Sequence, residues 1–505
     1  MSRFELYKKL KSGTDIRGVA VETENSPIQL DDLAVFDLTC GFCEWLLKNG
    51  VTPKSHVAVG HDSRISAERI KKQVISALCA YDFNVYDCGL ASTPAMFMTT
   101  VDLNCSAAVQ ITASHHPFDR NGLKFFTTTG GLDSEDLDAV INNTVNLTLP
   151  KKHSFSIERI DFMSVYAKRL RDMICREVNA ENYEKPLEGY KIVVDAGNGV
   201  GGFYASEVLE KLGADVSGSQ FLNPDGMFPN HAPNPENKEA MKSISAAVVR
   251  NSADLGVIFD TDVDRASCVD ENGTEINRNR LVALASIIAL EGNEGGTIVT
   301  DSVTSTGLTD FINKTLGGVH YRYRRGYRNV INEQLKLNRE GVNCPLAIET
   351  SGHAAFRENY YLDDGAYLIT KIVIKMAQMG KEGKKLESLI SSLKDPLEAA
   401  ELRLKIKCDD FRKYGDDVIS ALEKYSETKE GWKTADDNRE GIRVFLDKNH
   451  GDGWFLLRLS VHDPIMPLNI ESDSVGGAKR IAEEIFGFLS EFESLDVDVI
   501  RNFIE

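Results

Sequence analysis

Leu255-Gly-Val-Ile-Phe-Asp-Thr-Asp-Val-Asp-Arg265 is the stretch that decides how this chain folds. Its first five residues are apolar and predict a buried strand. Asp260, Asp262 and Asp264 follow at alternate positions, so three carboxylates emerge together where that strand ends. Acids crowded this closely repel one another unless a cation sits between them, and an all-oxygen ligand set suits Mg²⁺ or Ca²⁺. Mg²⁺ in proteins usually works beside a phosphate, so the loop points to phosphate chemistry. Two known loops share part of the pattern. As an EF-hand it has Glu271 at position twelve, but Arg265 stands where the sharp turn needs glycine, and a strand precedes it. As a haloacid-dehalogenase-type DxDx(T/V) nucleophile it has Asp264 where Thr or Val belongs. A three-acid metal site fits better than either; a surface acid cluster without a ligand is the competing reading.

Outward from this stretch, other β-branched runs also end in an acid: Val57-Ala-Val-Gly-His-Asp62, Ile192-Val-Val-Asp195 and Ile298-Val-Thr-Asp301. Helical patterns follow most of them, as at 65–81 and 203–212. Strand then helix, repeated, predicts α/β layers with loops gathered at the carboxyl ends of the strands. Helix capping is the alternative role for Asp62 and Asp301. Breaks near 150–160, 272–280 and 392–400 divide the chain. Beyond the last, a charged helical stretch (413–429), strand-like runs at 441–446 and 454–460, and a final helix at 475–492 predict a smaller α+β domain.

A length of 505 residues predicts roughly three or four domains. With 42% hydrophobic and 27% charged residues the chain reads as an ordinary globular protein. The apolar run Leu281–Leu290 falls short of the ~20 residues a bilayer span needs, and the opening residues lack a signal-peptide core. The expectation is therefore a cytoplasmic protein. A net charge of −18 argues against nucleic acid or an anionic membrane as partner. Nine scattered cysteines suit free thiols. Cys40-Gly-Phe-Cys43 lies inside an apolar helical pattern with no second pair, which predicts core packing rather than zinc or redox chemistry. Nothing in the sequence sets an oligomeric state.

Four further motifs can carry chemistry. Thr112-Ala-Ser-His-His-Pro117 follows the strand-like Ala107–Ile111 and precedes Asn121-Gly-Leu-Lys124, so Ser114 is expected on an exposed turn. It is not GxSxG, which disfavours acyl transfer. Serine suits a phosphoryl carrier, because its phosphate ester survives in water until a metal and cations activate it; a local Ser114–His115 hydrogen bond is the alternative. Asp195-Ala-Gly-Asn-Gly-Val-Gly-Gly202 contains G-x-G-x-x-G, but no acid ends a good strand about twenty residues on. Tight strand–helix packing is expected there rather than NAD binding. Glu349-Thr-Ser-Gly-His353 offers acceptors and donors for sugar hydroxyls, or forms a polar turn. Arg458-Leu-Ser-Val-His-Asp-Pro464 presents Arg458, Ser460 and His462 on one side of an extended chain, as a phosphate clamp or a solvated edge strand. The basic run Arg322–Arg328 faces the same anion or is a charged surface.

In this order, these segments resemble the α-D-phosphohexomutase superfamily, most closely its phosphomannomutase/phosphoglucomutase group. Gly13-Thr-Asp-Ile-Arg-Gly18 looks like the opening loop and Gly60-His-Asp-Ser-Arg-Ile-Ser66 the next turn. Thr112–Pro117 resembles the phosphoserine loop, Asp260–Arg265 the metal loop, Glu349–His353 the sugar loop and Arg458–Pro464 the phosphate loop. The match spans essentially the whole chain. It implies three α/β domains with mixed sheets plus a smaller C-terminal α+β domain around a central cleft, in segments 1–158, 159–275, 276–396 and 397–505. It further implies reversible phosphoryl transfer between C1 and C6 of mannose or glucose phosphate, through phospho-Ser114 and a 1,6-bisphosphate that also serves as activator. Mg²⁺ would bridge the seryl phosphate to Asp260, Asp262 and Asp264. Arg17, Lys124 and Arg265 would steady the transferred charge, with Lys124 and His115 the candidates for proton transfer. Glu349, Ser351 and His353 would hold the sugar, and Arg458, Ser460 and His462 the other phosphate. Phosphoglucosamine mutase, a metal-dependent sugar phosphatase and a non-catalytic phosphosugar or nucleotide binder are the alternatives. The chain departs from the family pattern at His116, where Asn is usual, and at His462 and Asp463, where Thr and Glu are more common. Thr350 stands at a position that varies between specificity groups, and Arg328 takes the place of a lysine.

Overall fold

The β-branched runs that end in acids do form strands, and helices follow and pack back on them. The computed structural model describes residues 2–24, 26–149, 155–460 and 463–505. They form two compact units, Met1–Glu291 with Ser351–Ser391, and Gly292–Thr350 with Ser392–Glu505.

In the first unit a mixed sheet runs Lys11–Ser12, Asp15–Val19, Arg120–Thr127, Ala107–Ile111, His56–His61, Asn84–Leu90 and Ile157–Arg159, with Gly130–Gly131 paired to Arg120–Thr127. His56–His61 lies parallel to both its neighbours, so the loops after His61 and Ile111 leave the same edge. Helix Asp32–Lys48 starts where the Asp31 carboxylate accepts the Ala34 N–H. It lays Leu38, Phe42 and Leu46 on the core, and Cys40 and Cys43 join the same buried stripe. Burial, ahead of the nearby acids Asp37 and Glu44, pushes the Cys40 thiol up to about 12, so it is an inert packing group. All nine cysteines are free.

A second mixed sheet follows, ordered Glu275–Ile276, Ala266–Asp270, Leu255–Phe259, Ile192–Asp195. Leu255–Phe259 is buried along its length. Helix Lys238–Asn251 covers it so closely that a Cβ on Gly256 would stand 2.4 Å from Val248. The glycine-rich turn is used for packing, as expected: a Cβ on Gly199 would meet the Thr261 carbonyl at 2.5 Å and one on Gly202 the Leu222 carbonyl at 2.3 Å. The hairpin Ala354–Phe356/Leu362–Asp363 and helix Gly365–Lys381 complete this unit.

The second unit holds the parallel strands Val319–Tyr323, Thr297–Asp301 and Leu346–Ile348. It also holds a six-stranded antiparallel sheet, Trp432–Thr434, Ile442–Leu446, Gly453–Leu457, Ile465–Ser472, Glu398–Ile406 and Leu495–Asp496. Helices Phe411–Ser426 and Gly477–Leu489 close over that sheet around their own apolar core, which gives the expected α+β C-terminal domain. Three α/β layers with mixed sheets precede it. Among the described residues no helix is long and apolar enough to cross a membrane.

Asp364 caps helix Gly365–Lys381 and is fully buried, accepting the Tyr166 hydroxyl at 2.6 Å and the Tyr367 N–H at 2.9 Å. Burial outweighs these donors and lifts its carboxyl from 3.8 to about 6. Between those values the folded chain holds a proton that the unfolded chain has released, so stability falls as pH rises across the window. The loss is on the order of 3 kcal/mol. Asp364→Asn removes this term. The stability difference between wild type and variant, measured by urea unfolding at pH 4 and pH 7, should change in wild type's disfavour on going to pH 7; a difference independent of pH would refute it.

Candidate active site

Strand Leu255–Phe259 delivers Asp260 at its end, and the loop after it closes on itself. Asp260 N–H donates to the Arg265 carbonyl at 3.2 Å, and Arg265 N–H to Asp260 Oδ1 at 3.2 Å. Between them Val263 sits at φ +67, fully buried. A β-branched residue in the left-handed region costs on the order of 1–3 kcal/mol. The Gly365 N–H, 3.1 Å from the Val263 carbonyl, helps to hold it there. Gly352 must be glycine here: at φ +97, its Cβ would lie 2.5 Å from the Ala266 carbonyl.

The turn buries Asp260, Asp262 and Asp264 almost completely, with one oxygen of each within 4.8 Å of the others. Lys124 Nζ lies 2.5 Å from Asp264 and 3.5 Å from Asp262. Arg265 Nε lies 3.2 Å from Asp260, and the Thr93 hydroxyl donates to Asp262. Burial, then repulsion from Asp264 and Asp262, drives the Asp260 carboxyl well above its ordinary range. Burial would raise Asp264 too, but Lys124, His353 and Arg265 hold it below. Oδ1 of Asp262 and of Asp264 are buried and accept no hydrogen bond from the described residues. Orphaned carboxylate oxygens among mutually repelling acids fit a hard divalent cation. Asp264, His353 and Asp363 also meet metal-ligand spacing, but a 2.6 Å hydrogen bond between His353 Nδ1 and Asp363 accounts for that closeness.

Ser114 lies at hydrogen-bond distance from this cluster. Its Oγ is 3.0 Å from Asp260 Oδ2, 3.2 Å from Arg265 Nη2 and 3.3 Å from His115 Nδ1. The exposed turn expected from sequence is not found: Ser114 is 3% exposed, at φ +50. The reason is Arg64, which the sequence reading missed. Its guanidinium donates to the carbonyls of Ser114, His116 and Pro117, each at 2.5 Å, and of Arg120 at 2.9 Å. Asp62 fixes Arg64 Nε at 3.2 Å and accepts the Thr112 hydroxyl at 2.7 Å; the Thr112 oxygen in turn accepts the Ser114 N–H at 2.9 Å. Asp62 therefore shapes the serine loop rather than capping a helix. Arg17 borders the loop from strand Asp15–Val19, paired to Asp15 at 2.9 Å. Arg265 above all, with close packing and the other cations, holds His115 below its ordinary value, and burial with Arg17 pushes His116 down to about 3.

The remaining sequence candidates fall on both units. In the second, Glu349 follows strand Leu346–Ile348 and accepts the Gly326 N–H at 2.6 Å. Asp301 accepts the Thr350 hydroxyl at 2.7 Å, so it positions this loop and is not a helix cap. Arg458 is 7% exposed, with a buried Nε that has no partner among the described residues. Ser460 accepts the Asp463 N–H at 3.3 Å. His462 lies outside the described residues. Arg322, in the basic run read as facing an anion or as a charged surface, is buried and paired to Asp437 at 2.7 Å. Ser351 and His353 belong to the first unit, Ser351 buried and His353 half-buried.

Two predictions follow from this geometry. Arg64→Met leaves Asp62 buried and uncompensated, and should cost about 3–5 kcal/mol in stability; the double variant with Asp62→Asn should recover part of that loss in denaturant melts, and strict additivity would count against the pairing. Titration calorimetry with Mg²⁺ should show binding that Asp262→Asn abolishes while the variant stays folded; unchanged binding would remove the acids as ligands.

Three family models match this chain: phosphoglucomutase/phosphomannomutase alpha/beta/alpha domain I over residues 8–149, domain II over 165–273 and domain III over 277–396. The phosphomannomutase/phosphoglucomutase of Pseudomonas syringae pv. tomato is 31% identical over 470 residues, covering 92% of each chain. That of Pseudomonas aeruginosa is 31% identical over 426 residues, covering 84% of this chain and 85% of the relative. The crystal structure of a phosphoglucomutase/phosphomannomutase family protein from Burkholderia thailandensis superposes with a TM-score of 0.79 at 25% identity, covering 98% of both chains. With its serine turn held against a buried triad of aspartates, the chain belongs to the phosphoglucomutase/phosphomannomutase family of the α-D-phosphohexomutase superfamily, whose members are intramolecular phosphotransferases.

Proposed function

We propose that this protein interconverts the 1- and 6-phosphates of a hexose, mannose or glucose, by passing a phosphoryl group through Ser114. The observation that carries the reading is the 3.0 Å approach of Ser114 Oγ to Asp260, 146 residues away in the chain. Acids for a metal and cations for a phosphoryl group meet at one hydroxyl, as in-line phosphoryl transfer requires. In the forward direction phosphorylated Ser114 gives its phosphoryl group to the free hydroxyl of a hexose monophosphate. The products are a 1,6-bisphosphate and a free serine hydroxyl. The bisphosphate then returns its other phosphate to Ser114, and a trace of it added from outside activates unphosphorylated protein in the same way.

Arg265, 3.2 Å from Ser114 Oγ, offsets charge on the transferred group, with Arg17 and Lys124 beside it. His115, 3.3 Å from Ser114 Oγ, and Lys124 are the two candidates for taking the proton of the attacking sugar hydroxyl. Asp260, Asp262, Asp264 and an oxygen of the seryl phosphate would hold Mg²⁺, which supplies Lewis-acid polarisation when bound. Glu349, Ser351 and His353 hold sugar hydroxyls. The orphaned Nε of Arg458 supports a role in gripping the phosphate that does not react, with Ser460 and His462. Segments 1–158, 159–275, 276–396 and 397–505 each bring one of these four loops.

Incubation with glucose 1-phosphate, Mg²⁺ and a trace of the 1,6-bisphosphate, coupled to oxidation of glucose 6-phosphate, should show turnover. Ser114→Ala should lower it to background. Intact mass should show a phosphate on the purified protein that maps to Ser114 and is absent in the variant. No turnover with glucose, mannose or glucosamine phosphates would sink the reading, and free phosphate without isomerisation would make the protein a phosphatase instead.

A further inference from the structure

Asp195, at the end of strand Ile192–Asp195, is fully buried and takes no part in the site described above. It accepts the Gly197 N–H at 2.9 Å and the Gln220 amide at 2.7 Å. Facing it is His231, whose side chain is only 6% exposed. Nε2 of His231 lies 3.0 and 3.1 Å from the two Asp195 oxygens, and Nδ1 lies 2.9 Å from the Ala232 carbonyl. Both neighbours accept, so the surroundings favour the form of the ring that donates from both nitrogens, the imidazolium. Burial works against that charge, but Asp195 and the Ala232 carbonyl prevail and the pKa is raised.

This buried ion pair clamps a strap of chain. Gly197, at φ +51, has no Cβ; one placed there would stand 2.9 Å from Pro233, so the strap lies flush on the turn after the strand. One residue further on, Asn234 Oδ1 accepts from Arg265 Nη1 at 3.3 Å, and Glu236 lies 3.7 Å from the same nitrogen. The other arm of that guanidinium reaches Ser114 Oγ at 3.2 Å. The guanidinium is a rigid planar fork, so what fixes Nη1 also aims Nη2.

We infer that His231 is a positioning residue for transfer at Ser114, pinning the 231–236 strap that aims Arg265 at the serine hydroxyl. The kinetic consequence rests on the mutase reading; the structural one does not. The test uses the full-length protein with Mg²⁺. His231→Gln, which cannot donate to Asp195 and Ala232 together, should lower kcat about tenfold or more while KM stays within about threefold, as misaimed transition-state donors do. Asn234→Ala should give a similar fall, and the double variant no more than the larger single effect. Independently of turnover, the Arg265 Nε–Hε resonance in ¹⁵N-arginine-labelled protein, assigned by its loss in Arg265→Lys, should shift in His231→Gln and in Asn234→Ala. Should His231→Gln fail to fold, Asn234→Ala alone reads the strap. A kcat within twofold of wild type, multiplying effects in the double variant, or an unmoved Arg265 resonance would overturn the inference. Absence of turnover in the wild type would sink the mutase reading, and the resonance would then decide the strap by itself.

Discussion

Three carboxylates buried within reach of one another cannot all carry charge unless positive charge is placed among them, and the site is arranged around that constraint. Lys124 and Arg265 supply part of it, each bound to a different aspartate. They do not supply enough: Asp260 is driven toward its protonated form, and two oxygens of the trio have no donor among the described residues. A divalent cation resolves both conditions at once, and it leaves Arg265 able to serve an anion at Ser114. Ground-state repulsion among the acids is thus what prepares the site for a metal.

Holding that arrangement requires strained backbone. Ser114 and Val263, on facing turns, both occupy the left-handed region without being glycine. Such residues persist only where the surroundings over-determine them. For Ser114 the surroundings are the four carbonyl bonds of Arg64, itself locked by Asp62. For Val263 they are complete burial and the amide of Gly365. Two buried ion pairs, Asp62–Arg64 and Asp195–His231, lie directly behind the groups that touch Ser114. A buried pair is weak as a source of net stability, because desolvation offsets its attraction. Its value here is directional, since one pair orients the backbone that carries Ser114 and the other holds the segment that contacts Arg265.

What the sequence made legible was local. Strands ending in acids, the clustering of the alternate aspartates and the packed CxxC could be read because period, spacing and flanking residues encode them. The glycine-rich turn was separable from a dinucleotide site by an acid missing twenty residues downstream. What stayed hidden depended on partners far along the chain. Arg64 looked like one residue of a polar turn because its partners are backbone carbonyls, which carry no residue identity. Ser114 was expected to be exposed because nothing within ten residues announces the guanidinium that draws it in. His231 lies in Asn230-His-Ala-Pro-Asn234, where no periodicity flags it, and its acid is 36 residues upstream. Arg322 could be read as facing an anion or as solvated surface; the partner that buries it, Asp437, lies 115 residues on.

The overall charge of −18 makes the placement of cations more than a local matter. An anionic phosphosugar approaches against the mean field of the protein, so long-range attraction contributes little to its capture. Binding then depends on short-range donors whose direction is set in advance. Arg64, Arg265 and Arg458 are each buried, and burial weakens screening by salt while it raises the penalty for a donor left unmet. Arg265 meets that penalty with Asp260 and Asn234, whereas Arg458 has an Nε without a partner among the described residues. The two guanidiniums therefore suit different tasks. Arg265 is already engaged by Asp260 and Asn234, and its Nη2 holds its place 3.2 Å from Ser114 Oγ without rearranging. Arg458, whose buried Nε finds no acceptor among the described residues, is the guanidinium that would gain most from meeting an anion.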